Sequence, residues 1–282
     1  MIRSMRVLSS SAAAFQSALQ LPSPRVLVPT MGALHAGHIA LLQKARALAG
    51  KDGSVIVSIF VNPIQFGPKE DLGKYPRPRK NDLAICKNAG VDLVFAPETL
   101  YAADHSVFID ESSLSDRLCG ASRSGHFRGV CTVVGKLFNL LQPQVAVFGE
   151  KDFQQLAIIR RMVRDLDFPV KVIGVPTIRE PDGLALSSRN IYLTSLERAA
   201  APVIRRSLLA AKSESSQGDI SARKLLGPIR KAVEKAGGRI DYLALVDAIS
   251  LQPESKISER SLIAIAVFFG ATRLIDNIRL RP

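Results

Sequence analysis

The sequence predicts an α/β fold, a doubly wound parallel sheet followed by a smaller α+β domain. Three observations lead there. Over the first part of the chain short apolar runs alternate with amphipathic stretches, the pattern of repeated βα units. The run Ser54 to Val61 (SVIVSIFV) is apolar on both alternations, as a strand buried on both faces requires. After Pro176 the pattern changes to a polar, turn-forming stretch, two helical segments and two strand-like runs. The expected division is therefore 1–177 for the sheet and 178–282 for a smaller lid that folds over the crevice.

Taken in order, Val7, Phe15, Leu19 and Leu21 fit a first helix. The same segment has no acidic residue before Asp52 and carries Arg3, Arg6 and serines at 4, 9, 10 and 11, a composition that also suits a mitochondrial transit peptide. Val26 to Val28 reads as a buried strand, and a helix starts near Gly37 with Ile39, Leu42, Ala45 and Leu48 on one face. Beyond the Ser54 strand come a polar loop holding Tyr75-Pro76-Arg77, a helix from Arg79 to Asn88 and a strand from Val91 to Phe95. A short strand is expected at Val107 to Asp110, a basic glycine-rich loop at Arg123 to Gly129 and a helix at Thr132 to Leu141. Val145 to Phe148 is a further buried strand, Gly149-Glu150-Lys151-Asp152 leads into a helix reaching Leu166, and Val170 to Val175 closes the series. In 178–282, helices are expected at Ser195 to Lys212 and Ile220 to Ala236, with strands at Asp241 to Val246 and Leu262 to Phe269.

Composition narrows the function. With 282 residues, 47% hydrophobic and 22% charged, the chain can bury a large core and is globular rather than disordered. Its best apolar run, Leu262 to Phe269, is far short of the ~20 residues of a membrane span. Cys86, Cys119 and Cys131 are odd in number and lack a C-x-x-C spacing. That argues against a disulfide framework or zinc site and fits a reducing compartment such as the cytoplasm. The net charge of +13 favours an anionic partner. Charge alone does not choose which, but the basic residues are scattered, and four tyrosines with no tryptophan give no stacking platform for nucleic acid.

The stretch RVLVPTMGALHAGH, residues 25–38, is the chemical centre of the chain. Two of only four histidines, His35 and His38, stand three apart at the start of a helix, where free N–H groups and the dipole favour an anion. Gly32 and Gly37 are expected to let a phosphate approach the backbone. Asn62 to Gln65 and Gly149 to Asp152 also follow strands directly, so all three turns are expected at one crevice beyond the strand ends. There Lys151 offers a mobile cation, Asp152 can cap its helix, and Gln155 follows one turn later. Between Arg179 and Asn190, Ser187 and Ser188 beside Arg189 make a phosphate clamp, with Gly183 as a swivel.

These motifs resemble the pantoate–β-alanine ligase family of the nucleotidyltransferase superfamily, related to class I aminoacyl-tRNA synthetases. The resemblance is carried by VPTMGALHAGH (28–38), VSIFVNPIQF (57–66), HFRGV (126–130), FGEKDFQQL (148–156) and DGLALSSRN (182–190), with weaker echoes at DYLALVD (241–247) and TRLIDN (272–277). It implies a Rossmann-like fold and two-step chemistry, in which pantoate and ATP give an adenylate and β-alanine displaces AMP. It further implies that His35 and His38 contact ATP phosphates, with His38 the proton donor. Lys151, Ser187, Ser188 and Arg189 would stabilise phosphate charge. ATP would also meet Met31, Gly32, Gly37, Gly149, Asp152, Ile178 and Leu186. Pantoate and β-alanine would meet Met31, Asn62, Gln65, Arg123 and Gln155. Mg²⁺ held mostly by substrate and water, and a homodimer, are implied as well.

The chain departs from the family pattern in places. Ala36 stands between the histidines where relatives often carry Glu, Leu186 replaces a common Met, Ser124 a common Pro, and Tyr101-Ala102-Ala103-Asp104 lacks the usual Tyr-Pro turn. A different nucleotidyltransferase and a non-catalytic RNA-binding relative are the rival readings. The paired Gln65 and Gln155 speak against the first. The intact set His35, His38, Lys151 and Arg189 speaks against the second.

Overall fold

The computed structural model describes residues 4–68, 70–216 and 221–280. Its elements in order are β1 (Arg6–Leu8), α1 (Ser11–Gln20), β2 (Arg25–Thr30), α2 (Ala36–Ala49), β3 (Ser54–Ile59), α3 (Arg79–Asn88), β4 (Leu93–Phe95), α4 (Cys119–Ser122), α5 (His126–Leu141), β5 (Val145–Gly149), α6 (Phe153–Asp165), β6 (Lys171–Val175), α7 (Ser195–Ala200), α8 (Val203–Ser215), α9 (Ala222–Lys235), β7 (Arg239–Asp247), β8 (Ser261–Phe269) and β9 (Thr272–Arg279). Two compact units emerge, one of residues 1–112, 123–150 and 158–176, the other of 113–122, 151–157 and 177–282.

The first unit is a six-stranded sheet in the order β1-β4-β3-β2-β5-β6 with every pair parallel. From β2 the chain steps outward through β3 to β4, then returns to the other side of β2 for β5 and β6. The order therefore reverses between β2 and β5, which is where such sheets bind ligands at their carboxyl ends. Val26, Leu27 and Val28 of β2 and Val55, Ile56 and Val57 of β3 are fully buried. Burial on both faces explains why these strands read as continuous apolar runs.

Residues 6–20 belong to this unit. Arg6–Leu8 pairs with β4, and Ser10 caps α1 by accepting from the Ala13 N–H. The expected single helix there is thus a strand followed by a helix. Two further expectations change for physical reasons. Helix α5 starts at His126, six residues before the expected Thr132. Its Gly129 is there for contact: a Cβ would lie 2.5 Å from the Ile64 carbonyl oxygen and 2.6 Å from Gln65 Cα. Residues 107–110 form no ladder; instead the Ile109 N–H donates to Thr132 Oγ1 of α5 at 3.0 Å.

The second unit holds an antiparallel sheet β7-β8-β9 with α7, α8 and α9. Ile204, Leu208, Leu225, Ile229, Ile263, Ile265 and Val267 form its core. The expected helix Ser195 to Lys212 is divided at Ala201-Pro202, because proline has no N–H to continue the ladder. The Ile220 start expected for the next helix lies outside the described residues, and α9 begins at Ala222, capped by Ser221. Strand β9 is not among the expected elements. Its charged residues break the apolar alternation, yet Thr272, Leu274, Asp276 and Ile278 face inward in strict alternation.

Candidate active site

In the first unit the turn after β2 carries the paired histidines. His35 is the N-cap of α2, its Nδ1 accepting from the Gly37 N–H at 3.1 Å. His38 Nδ1 in turn accepts from the His35 N–H at 3.3 Å, and the ring centroids are 4.2 Å apart. A capping box built from two imidazoles uses the backbone donors that the sequence reserves for a phosphate. With both Nδ1 atoms accepting, the neutral rings carry their protons on Nε2. The helix's positive end is thus relayed through two imidazoles, and Nε2–H becomes the donor that an anion would meet.

The glycines serve this arrangement. A Cβ at Gly37 would lie 2.8 Å from His35 Cε1 and 3.0 Å from its Nδ1, so Gly37 makes room for the ring. Gly32 has φ +87° and Ala33 φ +52°, and the N–H groups of Ala33 and Leu34 donate to Asp82 of α3 at 3.0 and 2.8 Å. Buried Asp82 is thus an internal anion that shapes the turn. Its sequence signal is faint: it reads as an ordinary first-turn acid of a helix.

A second cluster gathers behind the Pro63–Gln65 3₁₀ turn. Buried Asn62 donates through Nδ2 to Gln65 Oε1 and to the Gly129 carbonyl, both at 3.0 Å, and accepts from the Tyr101 hydroxyl at 2.8 Å. Burial pushes the Tyr101 phenol upward, so it stays a donor. Gln65 Nε2 donates to Met31 Sδ at 3.2 Å, which joins Met31, Asn62 and Gln65 in one group. Arg123 donates to both oxygens of Glu70, at 2.8 and 2.7 Å, and its Nη1 meets His126 Nε2 at 2.9 Å. His126 Nδ1 lies 2.9 Å from the Gln65 carbonyl oxygen. Since only the proton-bearing nitrogen can donate to a carbonyl, His126 holds the opposite tautomer from the first pair. Burial raises the Glu70 carboxyl, but the hydrogen bonds and charge of Arg123 outweigh it and the net shift is downward. Glu70 carries no local signal in the sequence, and His126 stands out there only as the first residue of HFRGV.

The remaining residues, apart from Gly149 at the end of β5, lie in the second unit. Lys151 is half-buried in a 3₁₀ turn, Asp152 is exposed and Gln155 is half-buried on α6. Residues 178–186 form a tight hairpin in which the Leu186 N–H donates to the Ile178 carbonyl and Arg179 bridges Ala185. Gly183, with φ +92°, serves this turn. Arg179 is locked by Asp276 through two bonds of 2.7 and 2.9 Å. Ser187 caps the Ser188–Tyr192 turn by accepting from the Arg189 N–H. Lys151 and Ser187 line one small pocket with Ala185, Arg205 and Asp276.

Fold and turn together define an α/β enzyme whose histidine-capped helix stands at the sheet's switch point. The family model for pantoate-beta-alanine ligase matches residues 3–279. The pantothenate synthetase of Akkermansia muciniphila is 56% identical over 258 residues, covering 90% of this chain and 92% of that one. That of Nitratidesulfovibrio vulgaris is 51% identical at 90% coverage of each. Among solved structures, pantothenate synthetase from Thermus thermophilus superposes with a TM-score of 0.92 at 47% identity, over 99% of this chain and 100% of the other. The Francisella tularensis ligase, complexed with beta-gamma ATP and beta-alanine, gives 0.82 at 33% identity over 98% of each. The chain belongs to the pantoate–β-alanine ligase family and is a ligase of that kind.

Proposed function

We propose that the protein condenses pantoate with β-alanine at the expense of ATP in two steps, through a pantoyl adenylate. The pantoate carboxylate attacks the α-phosphate and expels pyrophosphate. The β-alanine amine then attacks the acyl carbon and expels AMP. The observation that carries this reading is the two-imidazole capping box at the β2/β5 switch point, which leaves Nε2–H as the donor of each ring at a helix start. His35 and His38 bind the phosphates, and His38 donates a hydrogen bond through its Nε2–H to the departing oxygen. Lys151, Ser187, Ser188 and Arg189 neutralise charge on the triphosphate. Met31, Gly32 and Gly37 shape the turn beside it. The main chains of Gly149 and Ile178 hold the adenosine, Asp152 holds its ribose, and Leu186 also contacts ATP.

Gln65 and Gln155 hold pantoate by its hydroxyls and carboxylate. Neutral amides suit this task because they bind without adding charge to a crowded anionic site. Met31 is an apolar wall. Asn62 and Arg123 serve the pantoate and β-alanine side while giving their main donors to Gln65 and Glu70. Among the described residues no cluster of three His, Cys, Asp or Glu could hold a metal. The basic and amide donors here suit Mg²⁺ carried in on the nucleotide's own phosphates, where it would neutralise charge. No protein ligand is assigned to it.

The protein acts as a homodimer, and in the cytoplasm, a reducing compartment in keeping with its three buried free thiols. Among the described residues no helix is long and apolar enough to cross a membrane. The test is AMP formation by purified protein with ATP, pantoate and β-alanine, omitting each in turn. AMP should require all three. Steady AMP release with pantoate or β-alanine omitted would refute the reading.

A further inference from the structure

Two neighbouring side chains of the TRLIDN segment in β9, Asp276 and Asn277, reach the segments that carry Lys151 and Ser187. Lys151 O accepts from Asn277 Nδ2 at 3.1 Å. Asp276, buried beneath the hairpin, takes both arms of Arg179, which also donates to the Gly183 carbonyl at 3.1 Å. One residue thus ties down the backbone of Lys151, and the next fixes the hairpin that leads to Ser187.

The face of β9 opposite Asp276 continues the pattern. Arg273 donates to Asp241 Oδ2 through Nε at 3.0 Å and Nη2 at 2.7 Å, and its Nη atoms lie 3.6 and 3.5 Å from Cys119 Sγ. Arg279 stands over the Phe153 ring at 5.2 Å. Residues 273, 277 and 279 share one side of the strand. They grip the two segments, 113–122 and 151–157, that the second unit takes from the earlier part of the chain. Lys151 immediately follows the Gly149-Glu150 end of the other unit, so sequence continuity alone does not fix it to the sheet of the second.

We infer that Asn277 is a positioning residue for the ligase reaction, holding the Lys151 backbone so that its ammonium is presented to the phosphates. Asp276 is its companion for the 178–186 hairpin. The inference rests on the role proposed for Lys151. A carbonyl hydrogen bond to the residue's own backbone is a short lever on its side chain. Displacement of a charge-stabilising group by about an ångström costs on the order of 10²-fold in rate. Asn277 does not touch substrate in this account, so its effect should appear in turnover rather than in pantoate binding.

The test is a double-mutant cycle of Asn277→Ala and Lys151→Ala, with Asn277→Asp as a near-isosteric variant that removes the donor. Asn277→Ala and Asn277→Asp should each lower kcat by about 10- to 100-fold, with the KM for pantoate within about twofold and the urea midpoint retained. In the Lys151→Ala background the Asn277 substitutions should add less than about twofold, because the group they position is gone. If they still add their full factor there, Asn277 does not act through Lys151 and the inference is overturned. If Lys151→Ala alone keeps normal turnover, the role of Lys151 fails first, and the cycle distinguishes the two outcomes. Should Asn277→Ala unfold, Asn277→Asp decides by the same criteria. Normal kcat in that folded variant overturns the inference.

Discussion

Replacing Gly37 by alanine separates the stability of the histidine turn from its chemistry. Gly37 is the second residue of α2 and does not have positive φ, so the backbone accepts alanine without strain. The new Cβ would stand 2.8 Å from His35 Cε1 and 3.0 Å from Nδ1. The ring must swing away, and the 3.1 Å bond from the Gly37 N–H is lost. Losing an N-cap interaction costs about 1 kcal/mol, and alanine in place of glycine in a helix returns about 1 kcal/mol. The two nearly cancel, so the urea midpoint should move little, with net stability within about 1 kcal/mol of the parent. Activity should not cancel. A His35 ring displaced by about an ångström should lower kcat on the order of 10²-fold. Steady-state AMP release and equilibrium urea unfolding on the same preparation measure both. Turnover within about twofold of the parent would refute the reasoning. A loss of several kcal/mol would show that the backbone, not the ring, absorbs the clash.

Gln65→Ala should weaken pantoate by about 1–3 kcal/mol and leave ATP affinity little changed, since Gln65 is buried and oriented by Asn62 and Met31. Separate titrations of the two ligands check this, and equal loss for both would contradict it. Glu70→Gln should cost about 1 kcal/mol at neutral pH. Glu70 is held below its ordinary pKa, so its contribution is present above the unfolded value and fades as pH falls through the lower folded value. Denaturation curves of parent and variant should therefore converge as pH falls below the ordinary carboxylate range, and a gap that widened there would reverse the sign. Burial, with nearby carboxylates adding to it, pushes the Cys86 and Cys131 thiols up to about 12. Both should resist alkylation at about pH 8 in the native protein and react after unfolding, as peptide mapping would show.

The elements legible in the sequence are those whose signal is local. Helix α3 lies at Arg79–Asn88 as expected, β2 and β5 contain the apolar runs that announce them, and β3 starts at the expected Ser54 but ends at Ile59, two residues short of Val61. The start of helix α5 is obscured because Gly125 and Gly129 look like loop residues, whereas one ends the preceding turn with φ +76° and the other admits the Gln65 backbone. Strand β9 is obscured because buried Asp276 has its ion-pair partner, Arg179, 97 positions away, and such pairing leaves no local trace. His35 and His38 are conspicuous by rarity and spacing. Their tautomers are not, since these depend on which nitrogen meets a backbone N–H. Asp82 and Glu70 act from other elements by filling donors that the sequence alone counts as free for ligand. Gly32 and Gly37 are legible as necessary gaps, but what fills the space at them is Asp82, Ile59 and His35.

The central claim, a pantoyl adenylate formed before the amine enters, is tested most directly by isotope exchange between pyrophosphate and ATP. The purified protein is given ATP, Mg²⁺, labelled pyrophosphate and pantoate, with β-alanine withheld. Label should enter ATP only when pantoate is present, and AMP should be released on adding β-alanine. Absence of exchange, while the complete mixture still forms AMP, would contradict a freely reversible adenylate step and with it the two-step account.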